Sequence, residues 1–158
     1  MGTYKNLRGF KVPTYSADPV VSAGWTTVHS MNTTREYNGT SWTEVTNHPW
    51  SGGYEGNGWC GIQTAALVAG GYHGPPGDGT WANAWLYDGT NWAATGALAS
   101  ARNHGGLCGT SSAGLWAGGQ PTSQLCEEFN GSTWSAQNTL NYEHKTNVNC
   151  GIQTDAII

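Results

Sequence analysis

Short apolar segments alternate with glycine-rich polar turns along the chain, and no stretch of ten or more residues has helical periodicity. Apolar runs of this length that close on glycine are typical of strands, so we predict an all-β chain. One phrase recurs three times: an aromatic residue, Asn or Asp, Gly, a small polar residue, any residue and Trp. Its copies are residues 37–42, 87–92 and 129–134. Asn-Gly and Asp-Gly supply positive φ angles, so each copy predicts a tight primed turn joining two strands.

A second phrase, which begins with Cys-Gly, alternates with the hairpin phrase. Its copies are Cys60–Ala66, Cys108–Gly114 and Cys150–Ala156. The first two copies continue through an apolar run into a pair of glycines, whereas the third reaches Ile157-Ile158. We interpret the Cys-Gly phrase as the inner half of a unit and the hairpin phrase as its outer half. The hairpin tryptophans stand at 42, 92 and 134, so successive copies lie 50 and then 42 residues apart. This period predicts stacked four-stranded units.

A glycine pair after an apolar strand, then an aromatic residue, a turn and Trp, resembles the kelch repeat of β-propellers. Arg102-Asn103-His104-Gly105 matches a further part of that repeat, although the stretch before Cys60 lacks the Arg. The Asn-Gly-Thr-x-Trp and Cys-Gly-x-Gln-Thr-x-Ala variants are more particularly similar to kelch-like arrays of phage tail or fibre proteins. In those proteins a Ser-x-Asp-Pro phrase precedes the repeats, as Ser16-Ala17-Asp18-Pro19 does here. The resemblance covers about residues 34–158 and, less specifically, the first 33.

The two phrases predict a leader or strap over residues 1–33 and three blade-equivalents over residues 34–158, beginning and ending in mid-blade. The segment Phe10–Tyr15 reads as an edge strand of the leader, which is either packed on the propeller or attached to a larger particle. Propellers close with about four to eight blades, and open sheet edges favour aggregation. We therefore expect closure between chains. A head-to-tail dimer of six blades, two of them composite, is favoured over a trimer of nine blades. A piece of a longer array, or another β stack, is the alternative.

The length and net charge of the chain limit the kinds of partner that we expect it to bind. The 158 residues suit one domain with a real core. A net charge of −4 with only six Lys and Arg gives no basic footprint for nucleic acid or an anionic membrane. The sequence shows no transmembrane run and no signal-peptide apolar segment. Together with the phage resemblance, this predicts cytosolic synthesis followed by a place in the virion or outside the cell; an ordinary cytosolic protein is the alternative.

Repeated positions are expected to be structural. Three of the four cysteines hold the same place in successive repeats. A disulfide needs Cα atoms within ~7 Å of each other, which equivalent positions of adjacent blades seldom offer. We predict that these three and Cys126 are reduced and buried. The three hairpin tryptophans and Trp116 are predicted to lie in the core.

Candidate chemistry is sparse. The five histidines show no metal-type spacing, and no nucleophile motif is present. We predict no catalytic residue, no metal site and no cofactor. Galactose oxidase also has a kelch-type propeller, which makes a fragment of such an oxidase a further hypothesis. We favour it less, because a shared fold does not imply a shared active site.

Binding is better supported, at the place where the repeat is interrupted. Tyr87 comes sixteen positions after Gly71, whereas Phe129 comes ten positions after Gly119. Such inserted loops often carry binding function, and an aromatic plane beside polar groups suits a sugar ring. The candidate glycan-binding residues are Tyr72, His73, Asp78, Trp81 and Asn83. The alternative is that Trp81 folds back onto the scaffold. We predict a non-enzymatic phage structural or host-recognition protein; the second hypothesis is a free multivalent carbohydrate-binding lectin.

Overall fold

The computed structural model describes residues 34–49, 54–73, 79–121, 124–146 and 148–158. Within these ranges the chain contains strands and no helix, as the alternation of apolar runs and turns predicted. The leader over residues 1–33, its candidate strand and Asp78 lie outside the described residues. The strands are β1 (Arg35–Tyr37), β2 (Trp42–Glu44), β3 (Tyr54–Glu55), β4 (Gly58–Ile62), β5 (Ala65–Ala69), β6 (Tyr72–His73), β7 (Gly79–Thr80), β8 (Ala84–Tyr87), β9 (Trp92–Thr95), β10 (Gly106–Thr110), β11 (Ala113–Ala117), β12 (Cys126–Phe129), β13 (Trp134–Ala136), β14 (Cys150–Ile152) and β15 (Asp155–Ile157).

Two complete four-stranded sheets form the centre of the described structure. Their strand orders are β4-β5-β8-β9 and β10-β11-β12-β13, and all neighbouring strands are antiparallel. The two sheets share one register: Ala66 lies opposite Tyr87 in the first, and Gly114 lies opposite Phe129 in the second. Each sheet therefore contains one Cys-Gly phrase as its first two strands and one hairpin phrase as its last two.

Two half-sheets flank the complete sheets. The β1-β2 pair repeats the outer half, with Tyr37 opposite Trp42, and the β14-β15 pair repeats the inner half, with Cys150 opposite Ile157. Strand β4 packs beside β10, and β10 packs beside β14, so the inner strands of successive units are neighbours. None of these small sheets closes on itself.

The core fills the space between the two complete sheets. Leu67 and Leu107 pack with the large rings of Trp116 and Phe129, and all four are 5% exposed or less. The prediction that Trp116 is buried is confirmed. Of the hairpin tryptophans, Trp92 and Trp134 are half-buried. The prediction is wrong for Trp42, which is 66% exposed, and within the described residues no inner strand pairs with its half-sheet.

The hairpin turns differ from the predicted type. A type I′ turn needs positive φ at both central residues, whereas φ is positive only at the glycine, for example 96° at Gly131. The Asn or Asp precedes that glycine and acts through its side chain. Asn130 Oδ1 accepts hydrogen bonds from the backbone N–H groups of Ser132 at 3.1 Å and Thr133 at 2.9 Å. Asn38 and Asp88 do the same in the other copies. The phrase therefore encodes an Asx-stabilised loop.

The Cys-Gly phrase has a backbone requirement at its glycine. The φ angles of Gly61, Gly109 and Gly151 are 103°, 107° and 118°, in the region that disfavours other residues. A Cβ at these positions would also collide with the carbonyl oxygen of the facing strand, Ala113 in the case of Gly109. The glycine thus allows the two inner strands to approach each other at the turn.

The cysteines are all free, as predicted. Cys108 and Cys126 are buried and Cys60 is half-buried. Burial raises the pKa of the Cys60 thiol to about 12, with the neighbouring Cys108 adding to the effect. The expectation of burial is wrong for Cys150, which is exposed. Cys60 and Cys108 each face the Cys-Gly strands of the following unit, and within the described residues no unit packs beyond β14.

Candidate binding surfaces

The insertion predicted as a loop is a short hairpin in a separate small sheet. Strands β6 and β7 pair through Tyr72–Thr80 and His73–Gly79, and β6 also pairs with β3. Since β4 follows β3 directly along the chain, this three-stranded sheet lies at the end of the first complete sheet opposite its turns. We call that end the loop end, and the end with the Cys-Gly and Asx turns the turn end.

His73 and Trp81 come together on this sheet. Their ring centroids are 5.8 Å apart with an interplanar angle of 51°, and both residues are half-buried. Tyr72 is adjacent to His73 in an extended strand, so its side chain projects from the opposite face. Asn83 is exposed, and its carbonyl accepts a hydrogen bond from the Gly70 N–H at 3.0 Å, which makes it part of the framework.

The five predicted residues therefore do not form one complete site in the described structure. His73 and Trp81 share a face, Tyr72 projects from the opposite face of its strand, Asn83 is exposed, and Asp78 lies outside the described residues. The alternative that Trp81 folds back onto the scaffold applies in part, because its side chain is half-buried and its backbone is hydrogen-bonded to neighbouring segments. Its N–H donates to Gly71 O at 2.9 Å, and its carbonyl accepts from the Arg102 N–H at 3.1 Å.

A buried ion pair supports the scaffold behind Trp81. Arg102 is 0% exposed and Glu127 is 2% exposed, and their guanidinium and carboxylate groups are in direct contact. Arg102 also donates to Leu125 O at 2.8 Å and lies 5.8 Å from the ring of Trp116. Burial lowers the pKa of Arg102, and the Glu127 carboxylate opposes this shift. The Glu127 carboxylate in turn accepts the Ala99 N–H at 2.9 Å, so the pair joins the connection after β9 to β12. The Arg of the phrase Arg102–Gly105 is thus a structural residue.

A second concave surface, which the sequence did not reveal, lies at the turn end between the two complete sheets. It has a volume of about 500 Å³. Its lining includes the aliphatic side chains of Ala65, Leu86 and Ala93, which we call the floor. It also includes the Asx loop that begins at Asp88 and the turn at Ser111, which we call the rim. Hydrogen bonds from the Asn91 and Thr90 N–H groups lower the pKa of the Asp88 carboxyl. Each wall belongs to a repeated turn, which the sequence pattern marks only as framework.

The described residues contain no group of three or more His, Cys, Asp or Glu that could hold a metal ion. They also contain no helix of the length and apolar character that a membrane span requires.

Comparison with known proteins places the chain by fold only. No protein-family model matches the sequence, and no curated protein matches it. Among solved structures, the chain is similar to the one named "Structure of YjhT", with a TM-score of 0.58 and 14% sequence identity. The match covers 69% of this chain and 38% of that chain, so the described protein corresponds to well under half of its structural neighbour. At this identity, the likeness concerns the arrangement of the strands alone.

Proposed function

We propose that this chain is a kelch-like β-propeller subunit of a phage virion, on its tail, fibre or surface. In this proposal the chain supplies three blade-equivalents, has no enzymatic role, and forms a ring with other copies of itself. The observation that carries the proposal is the recurrence of one four-stranded register in two complete sheets, flanked by one outer and one inner half-sheet. An outer and an inner half together have the strands of one complete sheet.

The exposed apolar residues support pairing of the half-sheets. Tyr37 is 48% exposed, whereas Tyr87 and Phe129, at the same position of the complete sheets, are 4% and 0% exposed. On the inner half-sheet, Ile157 is 71% exposed, whereas its counterpart Leu67 is 0% exposed. Burying such side chains is worth about 1.5–3 kcal/mol each. The exposed side chains therefore occupy the positions that an added half-sheet would cover.

The register of the complete sheets specifies how two copies would meet. Ala66 opposite Tyr87 and Gly114 opposite Phe129 correspond to Ala156 of one copy opposite Tyr37 of another. The next pair would place Ile157 opposite Glu36. Two such contacts close a six-bladed dimer, and three close a nine-bladed trimer. We favour the dimer, because six blades fall within the usual range of blade numbers and nine do not.

The assignment to a phage particle rests on the resemblance of the two repeated phrases to phage tail and fibre arrays. In that setting the ring would present its loop end to a host-surface glycan, with Trp81 and His73 as the contact. An indole ring stacks on the apolar face of a sugar and offers an N–H for its hydroxyls. The same ring pair favours the second candidate, a free multivalent lectin, whose test is glycan binding by the purified oligomer without any particle.

Substitution of Trp81 tests the recognition surface. We expect the wild-type protein to bind on an array of bacterial O-antigen and capsular polysaccharides, and Trp81→Ala to weaken that binding at least tenfold. The matched control is Tyr142→Ala, which removes a ring that is 78% exposed elsewhere on the chain and should bind like wild type. Equal binding by wild type and Trp81→Ala would exclude the surface around Trp81 as the glycan-binding site. Absence of binding by the wild type would contradict the recognition role.

A further inference from the structure

A glutamine in one repeated turn shows how the structure uses a carboxamide between two sheets. Gln153 lies in the turn between β14 and β15, and its Nε2 donates to two backbone carbonyls of the neighbouring complete sheet. The acceptors are Gly114 O at 3.2 Å and Phe129 O at 3.0 Å, which belong to one cross-strand pair. A primary amide nitrogen has two hydrogens, so it can satisfy both carbonyls at once.

The same turn position holds a glutamine in the first repeat and a serine in the middle one. Gln63 lies between β4 and β5, and its Nε2 donates to Glu36 Oε2 of the neighbouring half-sheet at 3.1 Å. Ser111 takes this position between β10 and β11. Its side chain ends at a hydroxyl one bond beyond Cβ, too short to repeat the contact made by Gln153.

The concave surface at the turn end coincides with this serine. By the shared register, the carbonyls of Ala66 and Tyr87 correspond to those that Gln153 bridges. Among the described residues, no side chain donates a hydrogen bond to either carbonyl, whereas Gln153 does so to both of their counterparts. The space of about 500 Å³ beside Ser111 has an aliphatic floor at Leu86 and a carboxylate at its rim, Asp88. The position thus combines two acceptors, an apolar channel and negative charge.

We propose that this groove is a binding site for a primary carboxamide on an aliphatic stem, the chemistry of a glutamine side chain. The amide nitrogen donates to the Ala66 and Tyr87 carbonyls, as Gln153 does to their counterparts, and the stem lies on the apolar floor. The site lies between two complete sheets of one chain. Its existence is therefore independent of ring closure and of glycan binding at the loop end.

Amide chemical shifts provide the test, with capped Ala-Gln-Ala peptide and free L-glutamine as probes. We expect the peptide to produce saturable shifts at Thr64, Asp88 and Ser111, whereas capped Ala-Glu-Ala and an N-methylated glutamine peptide, which has one donor fewer, do not. Binding of free glutamine with equal affinity would identify the amino acid itself as a sufficient ligand and support the site. Absence of shifts with both glutamine probes, or equal shifts with the glutamate peptide, would overturn the proposal.

Ser111→Gln supplies the carboxamide from within the chain. We expect this variant to place its own amide on the two carbonyls, and so to bind the glutamine peptide at least tenfold more weakly than wild type. Ser111→Ala is the matched control, because it leaves the groove open and should bind like wild type. Undiminished binding by Ser111→Gln, in a variant with a folded spectrum, would contradict the assignment of these carbonyls.

Discussion

At the residue scale, a histidine occupies a position that the other repeats fill with leucine. His48 follows the hairpin Trp42 by six residues, as Leu98 follows Trp92 and Leu140 follows Trp134. Its ring is 8% exposed and lies edge-on to two indoles, 5.5 Å from Trp85 and 4.7 Å from Trp92. Burial among these rings lowers the pKa of His48 from 6.5 to about 4.

The lowered pKa predicts a pH-dependent stability. Since the unfolded chain binds the proton more readily, the stabilisation is complete above about pH 6.5 and is lost as the pH falls toward 4. The loss is at most about 3 kcal/mol in the free energy of unfolding. His48→Leu introduces the residue of the other repeats and should remove this part of the pH dependence. Urea unfolding of both proteins at pH 7 and pH 4.5 measures it; the same loss in both would contradict the assignment to His48.

At the element scale, the sequence predicted the strands of the repeats but not every turn or contact. The alternation of two phrases placed the inner and outer hairpins correctly, because each phrase carries its own backbone requirement. The predicted turn type was wrong, because Asn130 stabilises the loop by accepting backbone hydrogen bonds with its side chain and not by adopting a positive φ angle.

The small sheet of β3, β6 and β7 was missed because its strands are two residues long, too short to show alternation. The groove beside Ser111 was missed for another reason. Serine in place of glutamine leaves a groove only where two sheets pack side by side, and a local sequence pattern does not show which sheets are neighbours. Of the candidate site, the sequence placed Trp81 and His73 on the inserted segment, but it could not show that Tyr72 faces away.

The glycine of the Cys-Gly phrase gives an element-scale prediction. Gly109→Ala should lower the free energy of unfolding by about 3 kcal/mol, because it adds backbone strain at φ 107° and a collision with the Ala113 carbonyl. Gly114→Ala is the control in the same hairpin. The other repeats have Ala66 and Ala156 at this position, and the nearest atom to an added Cβ is the end of the Leu67 side chain. Its effect should be below about 1 kcal/mol, and equal effects in urea unfolding would contradict the backbone argument.

At the scale of the whole molecule, the described structure has two complete sheets and two halves with complementary strands. One exposed apolar residue of each half-sheet lies where an added half-sheet would pack. Ile157 of the inner half-sheet is 71% exposed and Tyr37 of the outer half-sheet is 48% exposed, whereas their counterparts in the first complete sheet, Leu67 and Tyr87, are buried. Apolar edges of this kind favour association between strands of different molecules. We therefore regard ring formation by copies of the chain as the central claim.

The molar mass in solution, measured by size-exclusion chromatography with light scattering, tests that claim most directly. We expect the wild type to have twice the chain mass of 16.7 kDa; three times that mass would support ring closure as the trimer. Ile157→Lys should give folded monomer, because the charge lies on the proposed strand edge, while Val148→Lys, at a residue 89% exposed outside that edge, should leave the mass unchanged. A wild-type protein that is monomeric at micromolar concentration would contradict ring formation between chains.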